Sequence, residues 1–257
     1  MQYSDTVLPV MRETRDMLLS HWGKAKAVNQ KTDSAWSVVT QLDIDVETFV
    51  MAELTRIHSD IQFVGEERGG DRGAEKFWLM DPIDGTAHYI RGLPFCTSML
   101  ALVERGEVVF SAIYDFLHDT MYSAEKGCGA YRNDERISVS ARTLKDSFVS
   151  FETNVTIESN AVLRKKLRDK TSLMSTFSAG WEFAMIASGK IDARICKDPY
   201  GMDYDFAPGT LLVAEAGGVV RNIGSHDFNY TNLDFIAANP LAYKELTEGP
   251  KALFPMN

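Results

Sequence analysis

The residues best equipped for chemistry in this sequence are acidic, and they fall where the chain turns. Asp81-Pro82-Ile83-Asp84-Gly85-Thr86 follows the apolar run Phe77-Trp78-Leu79-Met80. A strand of that composition delivers Asp81 at its C-terminal end. Pro82 lacks an N–H and stiffens the turn, and Gly85 lets backbone approach a ligand closely. A helix starting near Asp84 would point free N–H groups at the same spot, which favours phosphate. Mg²⁺ takes a few carboxylates plus water and phosphate oxygens, so two acids three residues apart can hold two ions with Asp81 shared between them. Ions about 3.5–4 Å apart clamp the attacking and leaving oxygens of a phosphoryl transfer. Asp, Pro and Gly are also ordinary turn residues, so the hexapeptide does not decide the matter alone. Glu66, in Gly65-Glu66-Glu67, follows the apolar residues 61–64, and Asp205 opens a predicted helix. Acids at such places are usually solvated or capping. Three sites of this kind in one chain call for a further explanation.

The elements that must position them follow from hydrophobic spacing. Val7, Val10, Met11, Leu18 and Trp22 predict one opening helix that stops at Gly23. After a polar stretch at 29–34, Val46, Phe49, Val50 and Leu54 predict a second helix over 44–57, with Asp43 near its start. Strands are predicted at 61–64, 77–80, 99–103, 108–114 and 120–123, with turns at Gly106, Asp119 and Gly127, the pattern of an antiparallel sheet. The second half alternates: strands at 148–151, 191–195 and 233–237, helices at 181–187 and 205–216 ending at Gly217-Gly218. The basic run 164–168 reads as the exposed face of another helix. The mixture predicts a layered α+β architecture. A polar segment at 141–146 divides an N-terminal subdomain, 1–145, with most of the site acids, from a C-terminal one, 146–257, that completes the site.

Composition narrows the function. The chain has 257 residues, 45% hydrophobic and 25% charged, enough for one large core or two packed subdomains. A formal net charge of -9 argues against nucleic-acid and anionic-membrane binding, which need clustered Lys and Arg. It still permits an anionic substrate where bound cations invert the local charge. Three cysteines, Cys96, Cys128 and Cys196, with no Cys-x-x-Cys pair, predict reduced thiols in the cytosol rather than a disulfide framework or zinc site. Neither a signal peptide nor a membrane span is expected.

Taken in order, residues 40–43, 64–67, 78–86, 126–130 and 204–218 resemble the inositol monophosphatase family, and the resemblance covers most of the chain. The pairing of Asp-Pro-Ile-Asp-Gly-Thr with a later Glu-Ala-Gly-Gly is its most specific part. The resemblance implies a layered α/β/α/β/α sandwich, Mg²⁺-dependent phosphomonoester hydrolysis by a metal-activated water, lithium sensitivity and a homodimer. Inositol monophosphate is the leading substrate, ahead of fructose 1,6-bisphosphate, histidinol phosphate, adenosine 3′,5′-bisphosphate and NADP. Carried over by position, Glu66, Asp81 and the Ile83 carbonyl would hold one ion, and Asp81, Asp84 and Asp205 a second. Asp43 would support a third ion, partly through water. Thr86 with Glu66 would activate the water, and the Gly85 and Thr86 N–H groups would hold the phosphate. Asp198, Ser178 and Ala179 would face the substrate.

Some positions depart from the family pattern. Tyr204 replaces a usual Trp, His88 a common Asn, and Phe177 a common Gly beside the substrate, while Pro208 is expected in the first turn of its helix. Phe177 would reshape the pocket or pack in the core. His88 is expected to be structural, because a metal-activated water needs no imidazole base. Cys96, Trp78 and Trp181 are expected in the core, the other histidines at the surface or in structural roles. Lys31 would reach the site from a loop or stand solvated. Two rivals stay open. An aspartate-nucleophile phosphatase of the haloacid dehalogenase type shares the strand and acids, but with one residue between them where this chain has Pro82 and Ile83. A non-catalytic binding protein of the same fold is the other.

Overall fold

The computed structural model describes residues 2–30 and 38–256, so Lys31 lies outside the described residues. The opening segment forms two helices, α1 (Ser4–Glu13) and α2 (Arg15–His21), where the sequence predicted one. The break falls at Thr14, whose hydroxyl donates to the Met11 carbonyl at 2.7 Å, a local bond that competes with helix continuation. The first turn of α1 is held from far along the chain. Glu125 accepts the N–H groups of Gln2, Tyr3 and Ser4 at 2.7–2.9 Å, which satisfies donors a helix start leaves open. A hairpin of β1 (Ala27–Gln30) and β2 (Val38–Thr40) leads into α3 (Gln41–Ile57).

A seven-stranded sheet follows, in the spatial order β3 (Gln62–Gly65), β4 (Lys76–Asp84), β5 (Thr97–Glu104), β6 (Glu107–Asp115), β7 (Thr120–Glu125), β8 (Gly129–Arg132) and β9 (Glu135–Ile137). β3 runs parallel to β4, and the other neighbours are antiparallel, as the turn spacing predicted. The short helix α4 (Thr86–Arg91) links β4 to β5. The second sheet takes β10 (Phe148–Thr153), β11 (Ser172–Met174), β12 (Ala193–Lys197), β13 (Val219–Asn222) and β14 (Phe235–Ala238) in the order β11-β10-β12-β14-β13, the first three mutually parallel. Helices α5 (Glu158–Arg168), α6 (Ala179–Ala187), α7 (Asp203–Glu215) and α8 (Pro240–Thr247) complete the chain.

Strand alternation sorts these into five layers. Leu100 and Leu102 of β5 face one way, against Val7, Val10, Val46 and Val50 of α1 and α3. Met99 of β5 faces the other way, with Ile113 and Ala124, onto Phe183, Leu212 and Val213 of α6 and α7. Those two helices also pack on Phe235 and Ala237 of the second sheet. The far face of that sheet buries Val149, Phe151, Ile195 and Ile236 under Leu167 of α5 and Ala242 and Leu246 of α8. The architecture is therefore the α/β/α/β/α sandwich expected. One local expectation fails. Because α7 begins at Asp203, Pro208 sits in its second turn, not its first. It cannot donate to the Tyr204 carbonyl, while its own carbonyl accepts the Ser111 hydroxyl at 2.6 Å.

Candidate active site

Asp81 and Asp84 are an odd number of residues apart, so in a regular strand they would point to opposite faces. The ladder between β4 and β5 prevents this. Asp81 pairs with Met99 and Asp84 with Thr97, so three steps on β4 oppose two on β5. The extra residue is a bulge that rephases the strand and brings both carboxylates to one side. Pro82 fits there because a bulge tolerates the lost donor. Gly85 then turns the chain with φ +82°, and a Cβ at this position would lie 2.5 Å from the Phe95 carbonyl oxygen. The helix expected near Asp84 starts two residues later, as α4 at Thr86, with Gly85 as its N-cap.

Asp205 arrives from the first turn of α7, where its Oδ2 accepts the Met202 N–H at 2.5 Å. Asp81, Asp84 and Asp205 each place a carboxylate oxygen within 4.8 Å of the others. Glu66 stands beside them on the turn after β3, its N–H bonded to the Met80 carbonyl at 3.0 Å. Burial first, then the charge of Glu66, pushes the carboxyls of Asp81 and Asp205 well above the usual range. Asp84 is pushed up to about 6 by burial, against hydrogen bonds that pull it down. Asp81 Oδ1 is buried and has no hydrogen-bond partner among the described residues. An oxygen-only cluster of mutually repelling acids with an orphaned buried oxygen has the donor set a hard divalent cation takes.

Asp84 itself is held from four directions. Its Oδ2 accepts the hydroxyls of Thr97 (3.0 Å) and Ser178 (2.6 Å) and the Gly180 N–H (2.9 Å), and its Oδ1 accepts the Ala179 N–H (3.0 Å). The carboxylate thus sits on the N-terminus of α6, where its charge meets the helix dipole. Ser178 and Ala179, expected against the substrate, are turned inward here and hold Asp84. Asp198 is tied at the end of β12, where its carboxylate accepts from Asn160 Nδ2 at 2.9 Å and Lys197 Nζ at 3.2 Å. These partners hold it below its ordinary value.

Thr86 was expected to work with Glu66. The structure pairs it with Asp43 instead, because the first turn of α3 meets the corner between β4 and α4. Thr86 Oγ1 lies 3.2 Å from Asp43 Oδ1 and 2.9 Å from the Ile83 carbonyl oxygen, and donates to one at a time. Thr40, the N-cap of α3, fixes the other oxygen of Asp43 through its N–H (2.8 Å) and hydroxyl (2.6 Å). Burial pushes the Asp43 carboxyl up to about 6. His88 is buried against Phe95 at 6.0 Å between ring centres, and burial lowers its pKa, in keeping with a structural role.

Three supporting groups escaped the sequence. Glu47 of α3 accepts the Glu67 and Arg68 N–H groups at 2.9 and 3.0 Å and so shapes the turn that carries Glu66. Arg72 clamps Asp203 at the head of α7 with two bonds of 2.6 and 3.0 Å. Arg194 lies between Glu182 and Glu152 in a buried network. Of these, Glu47 left a signal, one helical turn after Asp43.

The sequence profile of the inositol monophosphatase family matches residues 5–251. The chain belongs to this family. A Thermotoga maritima relative named fructose-1,6-bisphosphatase/inositol-1-monophosphatase is 29% identical over 248 residues, 95% of this chain and 94% of its own. A Xylella fastidiosa relative named Nus factor SuhB is 31% identical, covering 84% of this chain and 80% of its own. The solved structure of a Thermotoga maritima IMPase superposes with a TM-score of 0.86 at 27% identity, over 96% of this chain and 95% of that one. That of an IMPase/NADP phosphatase complexed with Mg²⁺ and phosphate reaches 0.82 at 19% identity, over 95% and 93%, and supports the fold. Family membership makes this chain a phosphatase of a Mg²⁺-dependent family whose substrates are small phosphorylated metabolites. Among the described residues no helix is long and apolar enough to cross a membrane.

Proposed function

We propose that this chain hydrolyses small phosphomonoesters with Mg²⁺ held by Glu66, Asp81, the Ile83 carbonyl, Asp84 and Asp205, and with Asp43 beside a third, weaker position. The observation that carries this reading is the carboxylate cluster with the Thr86–Asp43 pair at its edge. Bound Mg²⁺ would neutralise phosphate charge and acidify a water near it. The chain's own residues do the rest. Thr86 Oγ1 accepts a hydrogen bond from the attacking water and passes its own proton toward Asp43 Oδ1, which Thr40 keeps aimed. The Gly85 and Thr86 N–H groups hold the phosphate. The water oxygen bonds to phosphorus, the ester P–O bond breaks, and the departing alkoxide takes a proton from solvent.

Inositol monophosphate heads the substrate panel on family grounds. Fructose 1,6-bisphosphate, histidinol phosphate, adenosine 3′,5′-bisphosphate and NADP complete it. A cytoplasmic homodimer inhibited by Li⁺ is the working form under this reading. The test is phosphate release from the panel with Mg²⁺, then with EDTA. Release from at least one compound, abolished by EDTA and restored by Mg²⁺, is expected. Silence across the panel overturns the reading in favour of a non-catalytic binding protein.

A further inference from the structure

Glu66 and Asp205 reach the carboxylate cluster from different parts of the fold, and their charged forms repel each other. Glu66 stands on the turn after β3, and Asp205 in the first turn of α7. With no cation between them, that pair pushes the two elements apart. The start of α7 is also weakly tied by its own residues. Its N-cap is Met202, whose side chain has no oxygen to accept a free N–H.

The loop over residues 66–75 spans this gap. Gly65 and Gly69 exchange two backbone hydrogen bonds of 3.0 Å, which closes the turn that carries Glu66. At Gly70 the chain lies directly against β3. Its φ is +147°, and a Cβ there would stand 2.7 Å from the Phe63 carbonyl oxygen, so glycine is required. Asp71 Oδ1 then accepts the Gly73 N–H at 2.8 Å, an Asx turn with Arg72 at its centre. Arg72 meets Asp203, the first residue of α7, through Nε at 2.6 Å and a terminal nitrogen at 3.0 Å, one bond to each carboxylate oxygen. Such a fork fixes orientation as well as distance. The Asp203 side chain is 12% exposed, so one side of the pair is shielded from water. The same two elements also meet in an apolar cluster, which takes Ala74 from the loop and Tyr204 and Ala207 from α7.

We propose that the Arg72–Asp203 pair is a clasp that sets the distance between Glu66 and Asp205 before a cation arrives, which makes both members positioning residues for Mg²⁺. The proposal rests on the Mg²⁺ assignment above. Each end of the clasp is tied through the backbone to an acid of the cluster. Asp203 is two residues from Asp205, and Arg72 belongs to the loop whose closed turn holds Glu66. With the clasp shut, Mg²⁺ meets carboxylates already gathered. With it open, the first turn of α7 is free to draw away from Glu66, and Mg²⁺ has to pull it back.

Charge alone and positioning predict opposite effects at Arg72. It is a cation near an acidic cluster, so loss of its charge by itself would tighten Mg²⁺ binding. Loss of the clasp weakens it. Calorimetric titration of the full chain with Mg²⁺ is expected to give a Kd raised at least about threefold in Arg72→Met, short of the roughly 10–100-fold that follows loss of a direct partner of a metal ligand. Arg72→Lys, which keeps the charge but not the fork, should fall between wild type and Arg72→Met. Melting temperatures in EDTA should stay close to wild type, since the pair lies near the surface. Asp203→Asn should cost less affinity in the Arg72→Met background than in wild type, because the two residues act through one contact. A Kd unchanged or lowered in Arg72→Met overturns the clasp and leaves the Mg²⁺ site standing. Losses that add fully in the double variant overturn it as well. A raised Kd with a clearly lower melting temperature in EDTA overturns it in favour of a general role in folding. A wild type that binds no Mg²⁺ removes the metal assignment and the clasp together.

Discussion

Asp81 concentrates the cost of this site in one side chain. It is buried, its Oδ1 has no hydrogen-bond partner among the described residues, and its neighbours Glu66, Asp205 and Asp84 all repel its charge. Asp81→Asn should therefore abolish turnover and leave the metal-free fold as stable as wild type or more so. Activity at matched Mg²⁺ beside a melting curve in EDTA checks both halves, and a variant with full activity would remove Asp81 from the site. The same repulsion sets a pH dependence. Asp43, Asp81, Asp84 and Asp205 all have raised folded-state values, near 6 at Asp43 and Asp84, so the metal-free fold binds protons that the unfolded chain has released. Their stabilising effect is complete at low pH and is lost as pH rises through about 6. Glu125, Asp119 and Asp198 are shifted downward, so their contributions change below pH 4.5 and do not offset this. Burial raises Glu47 as well, so buried His88 opposes the trend as one group against five. In EDTA the melting temperature should fall between pH 5 and 7, and Mg²⁺ at pH 7 should reverse the loss. A melting temperature that rises over that interval in EDTA contradicts the account. At Thr86 the expected effect is kinetic. Thr86→Ala removes the hydroxyl between water and Asp43 and should lower kcat by about 10²–10⁴-fold, the range for losing a proton-transfer partner. Substrate affinity should change little. Near-normal kcat with a lowered melting temperature would make Thr86 a structural residue only.

The elements explain which parts of the site could be anticipated. Apolar runs and turn residues placed the strand that leads to Glu66 and the one that carries Asp81, because period and punctuation are local properties. The helix that carries Asp205 was also legible, although its start lay two residues earlier, and that shift moved Pro208 into the second turn. The bulge at Pro82-Ile83 was not legible, since it exists only in register with β5. For the same reason the direct contact of Thr86 with Asp43 was not legible. That contact spans 43 positions and depends on how α3 docks beside α4. Glu47 belongs to this class too. A Cβ at Gly65 would stand 2.2 Å from the Glu47 carboxyl carbon, so the close approach of α3 to the end of β3 requires glycine there. Glu47→Ala would leave the partly buried N–H groups of Glu67 and Arg68 without this acceptor and loosen the turn that aims Glu66. The expected result is weaker Mg²⁺ binding by calorimetry, with Glu47→Gln retaining more affinity than Glu47→Ala. Equal affinity in wild type and Glu47→Ala would show that the turn holds its shape without this carboxylate.

At the scale of the whole molecule, the site depends on two sheets being held in fixed relation through the helices between them. Asp81 and Asp84 come from the first sheet, while Asp84 is gripped by the N-terminus of α6. That helix is fastened to the second sheet by charge as well as by apolar packing. Glu182 of α6 accepts from Ser150 of β10 at 2.5 Å and pairs with Arg194 of β12, and Arg194 pairs in turn with Glu152 of β10. Arg194 is 3% exposed and also lies over the rings of Phe183 and Phe206 at 5.4 Å. A buried ion network of this kind is not in itself a gain over apolar packing, since desolvation offsets much of the attraction. Its weight shows when one member is removed and the others are left without counter-charge. Arg194→Met keeps much of the volume and the contact with the two rings but leaves Glu182 and Glu152 facing each other, so it should destabilise the fold by about 3–5 kcal/mol. Adding Glu182→Gln removes one of the stranded charges, so the double variant should be more stable than Arg194→Met alone. Urea unfolding of the wild type, the single and the double variant measures both differences. Mg²⁺ affinity should fall in the single variant as well, because the α6 terminus that orients Asp84 loses its anchor. A single variant within about 1 kcal/mol of wild type, the ordinary range of a surface pair, would mean that apolar packing alone holds α6 to the second sheet and that Asp84 owes its orientation to local bonds only.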